Sequence, residues 1–374
     1  MQNPWFPVQQ SAVAALPSPA LLVDEDRVRA NLARMITMAG GVERLRPHVK
    51  THKMPAVIEL VLQAGITKCK CATFEEMDMA ARAGIADVLL AKQPVGPDVL
   101  RFVERAEAFA ARESVAVPGS SLACIVDDPA VLRKLAVAAA RSGKRSTAID
   151  IWIDVDVGFG RHGTAPARAL ELAQAATAAG LRVRGWHVYD GHLTSSDPAE
   201  RAAGFAALQV SLEPLLVHGP TRVVGGGSPT FGNHAGIVER GDLRWECSPG
   251  TPIFWDWGYG TRFPELGFEP AAMVMGRVIS RPGPDTICID IGSKAVAPDP
   301  PVPRIMINGL EQAQILVHNE EHLLLRSEKA DHFPLGKVVF GIPVHICPTV
   351  HLYSQANVVR GGKLVGSWQI TARR

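Results

Sequence analysis

A lysine ends the first apolar run of the chain, in the segment 46–50 that reads RPHVK. A lysine amine can form a Schiff base with a carbonyl group when desolvation or neighbouring cations favour its uncharged form. Arg46, His48 and Lys53 place positive charge close to Lys50 in the sequence. The same pattern also fits a solvated basic turn before a helix, and spacing alone does not separate the two interpretations.

A glycine-rich turn at residues 225–230 reads GGGSPT and follows another short apolar run. Glycines let backbone N–H groups approach an anion closely, and hydroxyl groups can add further hydrogen bonds. Glycine-rich loops without a ligand are common, so the motif by itself is a weak signal. We nevertheless favour phosphate binding by Gly226, Gly227, Ser228 and Thr230.

His345 and Cys347 are separated by one residue. In a β-strand, residues i and i+2 share a face, so an imidazole and a thiolate could bind one metal ion. Two protein ligands leave positions open for water or substrate, as in catalytic sites, and zinc suits this pair by softness. The alternative is a buried strand with one hydrogen-bonded histidine and one apolar cysteine, and spacing alone favours it. Among the other histidines we single out His192, which follows Tyr189 and Asp190 near the end of an apolar run.

Short apolar runs alternate with Ala-rich segments of helical period between residues 44 and 250. Eight such runs predict a TIM barrel, in which every strand ends at the same mouth. Lys50 would then end strand one, and the glycine turn would follow strand seven, where barrels commonly bind phosphate. An open doubly wound sheet is the alternative. The predicted strands are Leu45–Lys50, Lys68–Ala72, Asp87–Leu90, Leu122–Val126, Ile149–Val155, Val183–Tyr189, Arg222–Val224 and Arg244–Cys247.

After residue 257 the pattern changes to short Val/Ile runs separated by Pro, Gly and Asp. This pattern predicts a small antiparallel β domain. We therefore expect a barrel domain over residues 18–256 and a β domain over 257–374, with residues 1–17 associated with the second. The amphipathic segment Arg27–Met38 predicts one helix before the first barrel strand.

The composition is that of an ordinary globular protein. Hydrophobic residues make up 47% of the 374 residues and charged residues 20%, and the net charge is +2. So small a charge gives no field-driven attraction to nucleic acid or membrane, and the expected partner is a small molecule. No run is long enough to span a bilayer and the N-terminus has no signal-peptide pattern, so we expect a cytoplasmic protein. Six scattered cysteines without disulfide-framework spacing are expected to be reduced.

In their order along the chain, these motifs resemble one family, the fold-type III enzymes that use pyridoxal phosphate (PLP). Its typical members are D-threonine aldolase, eukaryotic-type D-serine dehydratase and 3-hydroxyaspartate dehydratase. The resemblance extends over nearly the whole chain, and its most specific parts are RPHVKTHK at 46–53, the glycine turn and HIC at 345–347. It implies an alanine racemase-like fold, with an N-terminal (β/α)8 barrel and a C-terminal β domain.

The resemblance also implies roles for individual residues. Lys50 would carry PLP, with Arg161 near its ring or phenolic oxygen and Tyr189 against the ring. The phosphate would bind at the glycine turn, and His345 with Cys347 would bind a divalent metal, namely zinc, manganese or magnesium, beside the cofactor. The family typically forms homodimers in which the β domain of one subunit covers the barrel mouth of the other.

The chain departs from related aldolases at two points. Asp190 stands where they have the histidine of a Tyr-His-Gly motif, so His192 is the candidate catalytic replacement. His345-x-Cys347 replaces their His-x-Asp and matches the D-serine dehydratases instead. Both departures concern the reaction rather than the cofactor.

The expected function is a PLP- and metal-dependent lyase for D-3-hydroxy amino acids, of D-threonine aldolase type, yielding glycine and an aldehyde. A dehydratase for D-serine or 3-hydroxyaspartate is the alternative, and there Lys50 would remove the α-proton. An amino-acid racemase ranks third, because its second acid/base would have to be Tyr353. A non-catalytic PLP-binding protein fits less well, because such barrels lack a C-terminal domain.

Overall fold

The computed structural model describes residues 5–111, 120–141 and 149–373. Their chain forms two compact units. The barrel unit comprises residues 35–50 and 58–250, and the β unit comprises residues up to 34, 51–57 and 251 onwards. Residues 18–34, which we expected in the barrel domain, are therefore part of the β unit.

Three α-helices and one strand precede the barrel strands. They are α1 (Gln10–Val13), β1 (Ala20–Asp24), α2 (Glu25–Ala39) and α3 (Pro55–Gln63). The strand, β1, was not assigned to a sheet from the sequence. The helix predicted over Arg27–Met38 lies within α2.

In the described part of the barrel unit, seven parallel strands pair in sequence order, β2 to β8. Most of their residues are buried, as is typical of a parallel sheet with helices on its outer face, although several of the buried residues are charged. The elements are β2 (Lys68–Cys71), α4 (Phe74–Arg82), β3 (Asp87–Leu90), α5 (Asp98–Ala110), β4 (Ser121–Val126), α6 (Pro129–Arg141), β5 (Asp150–Val155), α7 (Pro166–Ala178), β6 (Arg182–Val188), α8 (Pro198–His218), β7 (Arg222–Gly225), α9 (Phe231–Ala235) and β8 (Arg244–Cys247).

The segment predicted as strand one closes this sheet but is not a full strand. Leu45 forms a parallel bridge to Cys247 of β8, and His48 forms one to Lys70 of β2. The chain then enters a 3-10 turn over Val49–Thr51. The prediction that Lys50 ends a strand is therefore wrong: it lies in the turn directly after the closing segment.

Arg46 stabilises the closure from inside the barrel unit. Its buried guanidinium donates to both Asp87 carboxylate oxygens, at 2.9 and 2.7 Å, and to Glu246 at 2.6 Å. Its charge is thus paired within the barrel and does not supply the unbalanced positive potential that the sequence suggested beside Lys50. Lys53, in the β unit, directs its amine to the Ala372 carbonyl oxygen at 3.2 Å.

The described part of the β unit contains one nine-stranded sheet. It is mixed rather than purely antiparallel, because β1 pairs parallel with β15 and antiparallel with β9. Two strands, β11 and β13, were not predicted. The remaining elements are α10 (Trp257–Arg262), β9 (Ala272–Gly283), β10 (Thr286–Ile289), β11 (Ile305–Ile307), β12 (Gln314–His318), β13 (Leu323–Arg326), β14 (Val338–Pro343), α11 (Ile346–His351), β15 (Gln355–Arg360) and β16 (Lys363–Gln369).

The predicted fold class is confirmed: a curled parallel sheet with flanking helices is joined to a separate β domain. The strand β1 belongs to the β unit because Leu22 packs with Met273, Met275 and Ile342 in the core of that unit. Within the described residues, no helix is both long enough and apolar enough to cross a membrane.

Candidate active site

The ring of Tyr189, directly after β6, is the centre of the candidate site. Three cationic side chains of the barrel unit lie against it. The distances to the ring centroid are 6.0 Å for Lys50 Nζ, 5.9 Å for Lys70 Nζ and 4.7 Å for Arg161 Cζ. Cations are attracted to aromatic faces, and the charges of Lys50 and Arg161 together make a local positive potential that favours an anionic ligand, to which Lys70 adds when it is protonated. The structure thus brings together three predicted residues, Lys50, Arg161 and Tyr189, and adds Lys70.

A chain of hydrogen bonds connects two of these cations. Lys70 Nζ lies 3.5 Å from His187 Nε2, and His187 Nδ1 lies 2.6 Å from Asp154 Oδ1. The other Asp154 oxygen is hydrogen-bonded to His162 Nδ1, and His162 Nε2 lies 2.8 Å from Arg161 Nη2. One buried carboxylate therefore has an imidazole on each side, and each imidazole has a cation beyond it.

The direction of each hydrogen bond in this chain follows from the ionised state of its central carboxylate. An ionised carboxylate only accepts, so both imidazoles donate to Asp154 from Nδ1. Each Nε2 then accepts, from Arg161 in one case and from the Lys70 amine in the other. Asp154 thereby sets the tautomer of both His162 and His187, and both ends of the chain return to the ring of Tyr189.

Burial and neighbouring charges alter the proton affinities along this chain. Burial lowers the pKa of Lys70, with a further contribution from the Lys50 charge, to about 7. Burial also lowers the pKa of His187. For Asp154, burial alone would raise the pKa, but the electrostatic attraction and hydrogen bonds of the His187 and His162 N–H groups hold it well below its usual value. The carboxylate is therefore ionised at neutral pH, which agrees with its position as the shared acceptor.

The glycine turn after β7 is hydrogen-bonded to the side chain of Asp190. The Gly227 N–H donates to Asp190 Oδ1 at 2.8 Å, and the Gly226 N–H donates to the Val188 carbonyl at 3.2 Å. Gly226 has a φ of 98°, and a Cβ there would lie 2.5 Å from the His234 ring, so both conformation and space require glycine. Because these two N–H groups already have acceptors, phosphate binding by Gly226 and Gly227 stays a prediction, and the buried Ser228 next to them is the better candidate donor.

Asp190, which stands where related aldolases have a histidine, forms a fully buried hydrogen-bonded pair with His234. Asp190 Oδ2 lies 3.0 Å from His234 Nε2, and Trp245 Nε1 lies 3.0 Å from His234 Nδ1. An indole N–H only donates, so Nδ1 accepts and Nε2 carries the hydrogen that is donated to Asp190. Burial raises the pKa of Asp190, but His234, Thr230 and Gly227 together lower it to about 2.

His192 lies beside the cluster rather than in it. It is exposed, and its ring stacks on Phe159 with centroids 6.1 Å apart and an angle of 18° between the planes. Phe159 in turn contacts Tyr189 edge-on at 5.6 Å. One aromatic ring therefore separates His192 from the ring of Tyr189.

His345 and Cys347, in the β unit, do not lie in a strand as predicted. His345 is the last extended residue before α11, and Cys347 is in the first turn of that helix. The two side chains nevertheless interact. Burial lowers the pKa of His345, but its hydrogen bond to Cys347 and the nearby Asp299 more than offset this and raise it to about 9. The geometric argument from strand periodicity is wrong, whereas the proximity that it predicted is present.

Two other kinds of side chain surround this pair. His345 Nδ1 lies 2.5 Å from Asp299 Oδ2. Cys347 Sγ lies 3.2 Å from Thr51 Oγ1 and 3.6 Å from Thr251 Oγ1. Over residues 5–111, 120–141 and 149–373, no group of three or more His, Cys, Asp or Glu side chains is arranged to hold a metal ion. An ion at this pair would need water or substrate to complete its coordination.

The residues present suit the implied groups. Three basic side chains around one aromatic ring match an aromatic cofactor that carries phosphate and phenolate charges. An imidazole and a thiol that contact each other are a donor set that zinc accepts. The fit is chemical and assigns no position to either group.

The comparisons with known proteins agree with these features. The alanine racemase N-terminal domain model matches residues 23–240, more than half of the chain, and the serine dehydratase domain model matches residues 271–359. D-threonine aldolase of Arthrobacter sp is 30% identical over 377 residues, which cover 96% of this chain and 94% of that protein. The chain belongs to this family of PLP-dependent lyases. Its members include both aldolases and dehydratases.

Two further members of the family extend the comparison. The crystal structure of D-threonine aldolase from Filomicrobium marinum superposes with a TM-score of 0.84 at 28% identity, covering 96% of this chain and 97% of that one. D-threo-3-hydroxyaspartate dehydratase of Delftia sp. (strain HT23) is 31% identical over 159 residues, 41% of this chain and 37% of that protein. Similarity therefore reaches both reaction types of the family.

The sequence interpretation missed the buried polar residues of the site. Asp154 and His187 each interrupt an otherwise apolar run, in IWIDV and GWHV, and Lys70 lies between two cysteines in KCKC. A charged residue inside a strand that is buried on both faces must point to a polar partner. The sequence thus indicates that these residues have polar partners, but it does not indicate which residues the partners are.

Proposed function

We propose that this protein is a PLP- and divalent-metal-dependent lyase that cleaves D-3-hydroxy amino acids by a D-threonine aldolase-type retro-aldol reaction to glycine and an aldehyde. The observation that carries the proposal is the convergence of Lys50 and Arg161 on the ring of Tyr189, in a chain similar to D-threonine aldolase over 96% of its length. The D-threonine aldolase similarity favours this reaction over the alternatives.

In this proposal the cofactor supplies an electron sink for the bond that breaks at Cα. Lys50 would provide the amine that holds it covalently, and Tyr189 would contact it. Arg161, fixed by His162 and by the ring of Tyr189, would supply a positive charge toward it. Ser228 and Thr230, both buried at the glycine turn, are the proposed hydroxyl ligands of its phosphate.

His345 and Cys347 are the proposed ligands of the divalent ion, which would supply Lewis-acid chemistry toward the β-hydroxyl group. Support comes from their mutual contact and from the Asp299 carboxylate behind the imidazole. His192 is the proposed base for the hydroxyl proton, because it is an exposed imidazole that stacks on Phe159 next to the Tyr189 cluster.

A dehydratase is the second candidate function. The thiol of Cys347 in place of a carboxylate, and the partial similarity to D-threo-3-hydroxyaspartate dehydratase, favour it. In that reaction Lys50 would remove the α-proton instead of only holding the cofactor. The same residues serve both reactions, so the products have to decide between them.

Product analysis with D-threonine separates the two reactions. An aldolase yields glycine and acetaldehyde, whereas a dehydratase yields 2-oxobutanoate and ammonia. Lys50→Ala should abolish both the activity and the absorbance band of the covalent PLP–lysine linkage. Lys92→Ala, an exposed lysine of the barrel unit paired with Asp98, is the matched control and should retain both. Retention of the band in Lys50→Ala would overturn the assignment of this lysine.

The expected homodimer and the cytoplasmic location stay predictions. Light scattering on the purified protein tests the first, and fractionation of the source cells tests the second.

A further inference from the structure

Lys70 is the most unusual residue of the site. Its side chain is 2% exposed, yet its hydrogen-bond partner is a neutral imidazole, His187, rather than a carboxylate. Buried lysines are rare and are normally paired with an opposite charge. Neither the proposed reaction nor the family resemblance assigns this amine a role.

The charges that face Lys70 come from every element around it. Two cations oppose an ammonium there and two carboxylates favour it, while an imidazole and an aromatic ring contact it. These groups are Lys50 from the 3-10 turn, Arg46 from the closing segment, Asp154 from β5, His187 from β6, and Asp190 and Tyr189 after β6. With burial as the largest contribution, their balance lowers the pKa of Lys70 to about 7.

We propose that Lys70 balances the charge of the bound cofactor: its amine, buried against an imidazole instead of a carboxylate, gains a proton and becomes an ammonium when PLP occupies the site. The inference rests on the proposed PLP site at Lys50. Both amines lie against the ring of Tyr189, and the Lys50 charge is the largest influence on Lys70 after burial, so negative charge held at Lys50 also acts on Lys70. The amine takes one proton from solvent, and no bond to the cofactor forms. Lys70 is thus a positioning residue for charge.

The sign of the expected pH dependence follows from linkage. Binding of an anionic cofactor raises the pKa of Lys70 above its value in the free protein. Between those two values, binding takes up a proton, so the affinity for PLP decreases as pH rises above about 7. The decrease is at most about tenfold per pH unit for one proton.

Calorimetric titration of the PLP-free protein with PLP at pH 8, in buffers of different ionisation enthalpy, measures this proton. We expect the unaltered protein to take up roughly one proton more than Lys70→Met. Lys70→Arg should also lose the uptake, because a guanidinium stays charged in both states. Lys92→Met, at an exposed position, is the control and should behave like the unaltered protein.

Equal proton uptake in the unaltered protein and in Lys70→Met would overturn the inference. If Lys70→Met does not fold, Lys70→Arg and the affinity of the unaltered protein between pH 7 and 9 provide the test, and a flat affinity would overturn it. Failure of the proposed function looks different: PLP would then form no covalent linkage at all, or would form it in Lys50→Ala as well.

Discussion

The backbone N–H of Gly227 donates to the carboxylate of Asp190 at 2.8 Å. The turn proposed to hold the cofactor phosphate is therefore tied to a buried hydrogen-bonded pair, because the other oxygen of Asp190 accepts from His234. Asp190, at which the sequence departs from related aldolases, therefore stabilises the glycine turn. The position of the turn depends on this carboxylate.

Asp190→Asn should weaken both the fold and PLP binding. A hydrogen bond to a charged group is typically worth about 1.5–3 kcal/mol, and an amide retains part of the hydrogen bonding, so we expect a loss of about 2–3 kcal/mol in the free energy of unfolding. Because the pKa of Asp190 is lowered to about 2, its contribution is present above about pH 4 and disappears as pH falls toward 2. Urea unfolding at pH 7 and pH 3 checks both statements. Asp242→Asn, at an exposed position, is the control, and equal stability of the two variants would contradict the prediction.

Asp154→Asn should disturb Arg161 without removing it. An amide can accept from one imidazole but not from two through equivalent oxygens, so either His162 or His187 loses the partner that sets its tautomer. We expect kcat to fall by about tenfold to a hundredfold, in the range of interactions worth 1.4–3 kcal/mol. The covalent PLP–lysine band should persist, because Lys50 is not part of this chain. An unchanged kcat and pH profile would show that the chain does not position Arg161.

Asp299→Asn should weaken metal binding at the pair His345 and Cys347. Asp299 contacts Nδ1 of the imidazole at 2.5 Å, and a carboxylate in this position orients a histidine ligand and raises its basicity. Loss of such a partner typically lowers metal affinity by 10- to 100-fold. Competition with a chelator for Zn²⁺ measures the effect independently of activity. Asp331→Asn, an exposed residue of the same unit, should bind Zn²⁺ normally, whereas Cys347→Ala should lose most of the affinity. Unaltered affinity in Asp299→Asn would contradict the role of this carboxylate.

The barrel could be predicted from periodicity because seven of its eight predicted strands form regular ladders. The closing segment could not, because only Leu45 and His48 bridge to their neighbours before the chain turns at Lys50. The strand β1 was not predicted, and its parallel pairing with β15 joins residues more than 300 positions apart. Pairing at that distance leaves no trace in local sequence patterns.

The types of the reactive residues were determined by the sequence alone: an amine at Lys50, a glycine turn at 225–230, and an imidazole with a thiol at 345 and 347. Tertiary structure decided which charges are free to act on a ligand. Arg46 and Lys50 lie four residues apart, yet Arg46 is neutralised by Asp87 and Glu246 while Lys50 lies against Tyr189. Lys70 became part of the site only because β6 places His187 opposite it. The physical reason is that electrostatic partners are set by distance in space and by burial, which the order of residues along the chain does not encode.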